Sequence, residues 1–218
     1  MKDVDKVRSH WWPREGWRPG RLVYTWHLTF EHAPPLHQLA ERYQAALARI
    51  EEHNPIPARW LHLTVQAVGF VDEVSEEQLN QITEAVRVRL GELAPVELTF
   101  HRPTLLGEGV VLTPTPAEPL HQMWGEVRRG IAEVIGNAPT AAEQANGFHP
   151  HVSLTYINTP GPARPYIDAL SAVEAGPVSV DVEQVVLIVQ NRVLDPEWLY
   201  CWTTRTTAPL GARTLGGF

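Results

Sequence analysis

Two short stretches limit the possible folds more than any bulk property does: "RWLHLTVQAVGF" (59–70) and "FHPHVSLTY" (148–156). In each, apolar residues alternate with a histidine and a hydroxyl. Successive side chains of a strand point to opposite faces. His62, Thr64 and Gln66 are therefore expected on one face, and Leu61, Leu63 and Val65 on the other. In the second stretch His151, Ser153 and Thr155 share a face, while Val152, Leu154 and Tyr156 take the core side. Such a strand needs a hydrophobic layer behind it and presents a polar wall in front. Two of them in one chain call for a cleft.

The segments around them supply that layer. "RLVYTWHLTF" (21–30) is β-branched and aromatic and reads as a first strand. "PPLHQLAERYQAALARIEEH" has apolar residues at helical spacing and is broken by "NPIP". Ser75 with Gln78 three residues later predicts a capped helix start, and Gly91 its end. "VELTFH" and "EGVVLTP" read as a strand pair around "RPTLLGEG". A helix ending at Gly136, a loop "APTAAEQANG", the second histidine strand and a short helix "RPYIDALSAVEAG" follow. "VSVDVEQVVLIVQNR" and "EWLYCWTTRTT" close the chain as an antiparallel pair across "VLDPE". Strands that follow their neighbours through turns and helices predict an α+β protein with antiparallel sheets. The 218 residues suffice for one large domain or two small lobes. The expected division is an N-terminal arm at 1–20, one bilobal domain at 21–206 and a glycine-rich tail at 207–218.

Charge narrows the partners. A formal net charge of −7 argues against a sequence-independent nucleic-acid coat. The first 21 residues are the basic exception, with Lys2, Lys6, Arg8, Arg14, Arg18 and Arg21 against Asp3, Asp5 and Glu15; this leading arm reads as a solvated tail, with a polyanion contact as the alternative. Trp11, Trp12 and Trp17 in it are read as packing onto the domain rather than stacking on bases. The single cysteine, Cys201, excludes an internal disulfide framework and reads as a buried, inert thiol. With neither a signal-peptide core nor a membrane-length apolar run, the chain is expected to be soluble and cytoplasmic.

Two histidines facing one cavity suit general acid–base catalysis, because an unperturbed imidazole titrates near a pKa of about 6.5. Adjacent hydroxyls can donate to a phosphate oxygen. The bare pattern is weak, since ten histidines yield three His-x-hydroxyl triplets. The third, His27-x-Thr29, also lies on an expected strand, and spacing alone does not discard it.

The flanking residues do. "WLHLTVQAVGFVDEVSEEQ", with Gly69 before the helix at Ser75, resembles the first signature of the 2H phosphoesterase superfamily, which includes the 2′-5′ RNA ligases and 2′,3′-cyclic phosphodiesterases. "FHPHVSLTY" resembles the second signature. The resemblance covers roughly residues 21–206. It implies a bilobal fold with pseudo-two-fold symmetry, one motif per lobe facing a central cleft, and phosphodiester chemistry without metal or other cofactor. It implies His62 and His151 as the catalytic pair, with Thr64 and Ser153 on the non-bridging oxygens. Which histidine is the base stays open. Some relatives carry an arginine shortly after the second motif, where this chain has Thr155, Tyr156 and Asn158; recognition of a terminal phosphate or a long RNA is therefore in question.

The expected activity is hydrolysis of a nucleoside 2′,3′-cyclic phosphate, on a nucleotide or an RNA end, by a monomer without an obligate protein partner. The alternatives are reversible 2′-5′ RNA joining at the same site, a non-catalytic RNA- or nucleotide-binding module, and a metal hydrolase. Gln66, Thr155, Tyr156 and His27 are secondary substrate-contact candidates, Tyr156 with packing preferred over stacking on a base, and His27 with a structural or cleft-edge role preferred. "HPH", with His149 beside His151, invites a zinc reading, but no carboxylate lies near at ligand spacing. His101 and Arg102 read as a solvated turn.

Overall fold

The computed structural model describes residues 5–138 and 147–211. In chain order it contains β1 (Lys6–Val7), β2 (Leu22–Thr29), α1 (Pro34–Leu47), β3 (His53–Pro55), β4 (His62–Phe70) and α2 (Glu76–Leu90). Then come β5 (Val96–Phe100), β6 (Thr104–Leu106), β7 (Gly109–Leu112), β8 (Pro114–Thr115) and α3 (Glu118–Ile135). The chain closes with β9 (Val152–Ile157), β10 (Gly161–Pro162), α4 (Arg164–Ser171), β11 (Val178–Val182), β12 (Gln184–Val193) and β13 (Leu199–Pro209). The expected loop "APTAAEQANG" falls largely outside the described residues.

Every strand pairing among them is antiparallel, and the architecture is α+β and bilobal. One lobe is the sheet β13-β12-β2-β4, backed by α2 and α3. The other is β3-β9-β7-β6, with α1 against β9 and α4 against α1; the sheet β11-β5-β8 lies beside α1. Each lobe therefore draws strands from both halves of the chain. β2 and β4 from the start join β12 and β13 from the end.

The helices form where apolar residues recur at helical spacing. α1 buries Leu36, Leu39, Ala40, Tyr43 and Leu47. α2 starts on the expected capping box, in which the Ser75 hydroxyl accepts from Gln78 N and the Gln78 side chain accepts from Ser75 N. Such a cap contributes about 1 kcal/mol. It ends at Gly91 in a right-handed conformation, so no left-handed glycine is required there. α2 and α3 pack closely because Gly130 has no side chain; a Cβ there would lie 2.9 Å from the Val86 amide nitrogen.

Two expected pairings are corrected. Val96–Phe100 meets the expected "EGVVLTP" strand only at its end, Phe100 opposite Pro114; Gly109–Leu112 (β7) instead forms a tight hairpin with β6, and β5 pairs mainly with β11. The single strand expected from Val178 onward breaks at Glu183 into β11 and β12, which enter different sheets. The closing hairpin, β12 with β13, forms as expected.

The arm packs onto the body. The Arg8 and His10 amides donate to the Gly107 and Ile157 carbonyls at 2.7 and 2.8 Å. Trp11 is buried against Tyr156 and Tyr200, and the Trp12 indole donates to Glu108. At the other end, β13 runs on to Pro209, past the start of the expected tail. Cys201 is only half-buried, and burial pushes its thiol pKa up.

Candidate functional site

Both histidine motifs carry the same local defect. On β4, Thr64 lies opposite His27 and Gln66 opposite Trp26, so the register shifts by one residue at Val65. On β9, Ser153 lies opposite Val111 and Thr155 opposite Val110, so the same shift falls at Leu154. These are β-bulges. A one-residue slip sends all later side chains to the other face. Residues directly opposite one another share a face, and neighbours along one strand do not. The strand-mates Trp26 and His27 thus put Gln66 and Thr64 on opposite faces, and Val110 and Val111 do the same for Thr155 and Ser153.

The bulges change the fate of three residues. Gln66 does not extend the polar wall: it is fully buried on the helix side, where its carbonyl oxygen accepts from Trp124 Nε1 and from Arg128 at 3.2 and 3.1 Å. Thr155 is also fully buried, and its hydroxyl donates to the Asn54 carbonyl at 2.7 Å. Tyr156, expected on the core side, shares the face of Ser153. There the arm covers it: the His10 ring stacks on it at 4.4 Å between centroids. Burial, with Tyr200 beside it, raises the Tyr156 phenol pKa far above its ordinary value, so the ring is a neutral surface. Gln44 of α1 supports the second bulge by donating to the Ile56 and Leu154 carbonyls at 2.9 and 2.8 Å.

His62 and His151 are held in matching ways. His62 Nδ1 donates to the Trp60 carbonyl at 2.8 Å, and His151 Nδ1 donates to the His149 carbonyl at 2.8 Å. A carbonyl only accepts, so each Nδ1 carries its proton and each neutral ring keeps a lone pair on Nε2. His149 thus matters through its main chain. Among the described residues no three His, Cys, Asp or Glu side chains converge as a metal cluster.

The two motifs meet across the lobes. Burial lowers the pKa of His62 to about 4; the Trp60 hydrogen bond opposes this, and the charges of His151 and His10 add to it. His62 is therefore neutral at neutral pH. Thr64 is exposed, and Ser153 and His151 are partly so. His27 is not at a cleft edge. It is fully buried, stacked on His62 at 4.5 Å with only 10° between planes, and its Nε2 lies 3.2 Å from the Thr64 hydroxyl.

Three neighbours of this site were not foreseen. Trp202 stands edge-on to His62 and His27, and Trp60 edge-on to Trp202. The alternation in "LYCWTT" places Trp202 on the Tyr200 face, which was a usable signal. His10 comes from an arm outside both motifs, and no pattern in the sequence points to it. Burial alone would raise the Glu108 pKa, but His10, Arg8 and Arg14 hold it below the ordinary carboxylate value.

The fold and the paired motifs define a protein of two lobes, each carrying one histidine and one hydroxyl on a bulged strand. Residues 34–194 match the model of the 2′-5′ RNA ligase superfamily, and the chain belongs to that family. No curated protein matches the chain. Among solved structures it is similar to TT0787 of Thermus thermophilus, with 20% identity, 88% of this chain and 99% of that one covered, and a TM-score of 0.61. It is similar to E. coli LigT complexed with ATP, with 19% identity, 88% and 99% coverage and a TM-score of 0.56. LigT complexed with 3′-AMP gives 18% identity, 87% and 98% coverage and a TM-score of 0.56. Among the described residues no helix is long and apolar enough to cross a membrane.

Proposed function

We propose that the chain is a metal-independent phosphodiesterase that opens nucleoside 2′,3′-cyclic phosphates, on a nucleotide or an RNA end. The observation that carries the reading is the matched pair of histidines, each with Nδ1 tied to a carbonyl two residues back, which makes Nε2 the basic nitrogen of each neutral ring. Family membership supports an enzyme of this kind. LigT, of similar fold, has been crystallised with ATP and with 3′-AMP.

The mechanism assigns His62 as base, because burial keeps it neutral. Its Nε2 takes a proton from water as the water oxygen attacks phosphorus. The bond from phosphorus to one ribose oxygen breaks, and protonated His151 delivers a proton to that oxygen. Thr64 and Ser153 donate to the non-bridging oxygens, whose charge grows in the transition state. Run with a ribose hydroxyl in place of water, the same arrangement joins RNA ends, and the family's description as RNA ligases favours keeping that second reading.

The test is hydrolysis of 2′,3′-cyclic nucleotides in EDTA across about pH 5 to 9, with wild type, His62→Ala and His151→Ala in parallel. A wild-type activity lost in both variants supports the reading. An activity abolished by EDTA, or retained by both variants, refutes it. Incubating a 2′,3′-cyclic-phosphate RNA with a 5′-hydroxyl RNA separates joining from hydrolysis.

A further inference from the structure

His27 belongs to neither signature, yet it touches both functional groups of the first. It lies directly opposite Thr64 on β2, and its ring lies flat against that of His62. Its Nε2 is within hydrogen-bond distance of Thr64 Oγ1, at 3.2 Å. Its Nδ1 is sealed from solvent and has no hydrogen-bond partner among the described residues. Trp202 closes the box, edge-on to His27 at 5.6 Å and to His62 at 5.1 Å.

We infer that His27 is a positioning residue: it donates its Nε2 proton to Thr64 Oγ1 and so leaves the threonine proton to point into the cleft, while its ring fixes the plane of His62. The inference rests on the roles of Thr64 and His62 proposed above. The tautomer follows from the orphaned nitrogen. A buried N–H without an acceptor is rarer and costlier than an unpaired lone pair. Nδ1 therefore carries the lone pair and Nε2 the proton. A hydroxyl has one proton to give and can accept as well. With its acceptor side filled by His27, Thr64 can spend that proton only on another group, and a phosphate oxygen is the acceptor the cleft is built for.

Burial supports the same picture by holding the His27 pKa well below its ordinary value, with His62 adding to the effect. A neutral His27 can sit face to face with His62 at no charge penalty. The charges of His151 and His10 also reach His62. Among the described residues the second lobe shows no counterpart across the strand pair. The residue opposite Ser153 is Val111, which has no polar atom in its side chain. The two hydroxyls are therefore not equivalent: Thr64 is aimed from behind, and Ser153 is not aimed by this route.

The experiment has two independent arms. Long-range ¹H–¹⁵N correlation spectra of the wild type, assigned against His27→Phe, read the tautomer directly. Protonated Nε2 at His27 is expected, and protonated Nδ1 overturns the inference. The kinetic arm compares His27→Phe, which keeps a flat ring without a donor, His27→Gln, which keeps an N–H donor, Thr64→Val and the double variant His27→Phe/Thr64→Val. A donor acting only through Thr64 predicts a loss of about 10- to 100-fold in kcat for His27→Phe, below the full effect of an oxyanion donor. It predicts partial rescue in His27→Gln and no further loss in the double variant beyond Thr64→Val. Multiplicative losses, or a His27→Phe enzyme as fast as wild type, overturn it. Thermal melts of each variant identify any loss that comes from unfolding. A wild type that turns over no cyclic phosphate refutes the proposed function, and the tautomer then decides the inference alone.

Discussion

Burying a neutral histidine ties stability to pH in a way the structure makes quantitative. His62 is only 9% exposed and its folded-state pKa is about 4, lowered first by burial. In the unfolded chain it returns to about 6.5. Below that value the unfolded state binds a proton that the folded state refuses, so stability falls as pH drops from about 6.5 toward 4. With these two values the loss between pH 7 and pH 5 is about 2 kcal/mol, and it approaches about 3 kcal/mol near pH 4. That is a large part of a typical domain's total stability. The assay is urea unfolding followed by tryptophan fluorescence at pH 7 and pH 5, for wild type and for His62→Gln. The variant removes the titrating group and leaves the exposed carboxylates as they are, so its loss across the same interval should be smaller by about 2 kcal/mol. Equal losses in the two proteins would refute the argument. So would an NMR titration that places the His62 transition near its unperturbed value.

Removing either catalytic candidate should lower kcat/KM by about 10²- to 10⁴-fold, measured on a 2′,3′-cyclic nucleotide for His62→Ala and His151→Ala, with the melting temperature little changed for the partly exposed His151 and lowered for the buried His62. The acid limb of the free enzyme's pH–rate profile should follow His62 down toward its pKa of about 4, provided the protein stays folded; a limb near neutrality contradicts His62 as base. Gly130→Ala should destabilise by about 1–3 kcal/mol in chemical unfolding, because its Cβ would sit 2.7 Å from a Val86 methyl and 2.9 Å from the Val86 nitrogen. Gln66→Leu should cost about 1–3 kcal/mol by stripping an acceptor from Trp124 while leaving turnover close to wild type, since its side chain faces the helices. A large fall in kcat at unchanged stability would return Gln66 to the cleft.

That His62 and Thr64 share a face was legible because it is local, two residues of separation on a strand; the choice of His151 and Ser153 as the other half rested on the resemblance of the flanking residues. The capping box at Ser75 was legible because it too is local. What was not legible depends on the partner strand. Nothing in "HLTVQ" or "HVSLT" reveals that one residue in each is skipped by its neighbour, and that skip reverses Gln66, Thr155 and Tyr156. Likewise the choice of β11 over β7 as the partner of β5, and the break at Glu183, are settled by how sheets share helices rather than by any residue's propensity. His27 shows the limit from the other side. Its triplet looked like a competitor of the first motif, whereas its place directly across from that motif makes it the motif's backing.

The twin bulges also bear on how such a site can change. The position five residues after each histidine, Ala67 or Tyr156, shares the sheet face of that motif's hydroxyl, while the residue just before it points to the opposite face. Each lobe thus has one socket beside its histidine and hydroxyl, half-buried at Ala67 and sealed within the hydrophobic core at Tyr156. In one lobe the socket is small; in the other it holds an aromatic ring on which the arm has settled through His10 and Trp11. A substitution at 156 would therefore not travel alone. It would unseat the arm, and a protein engineer retuning this aperture would have to redesign the first twenty residues together with a strand more than a hundred positions away.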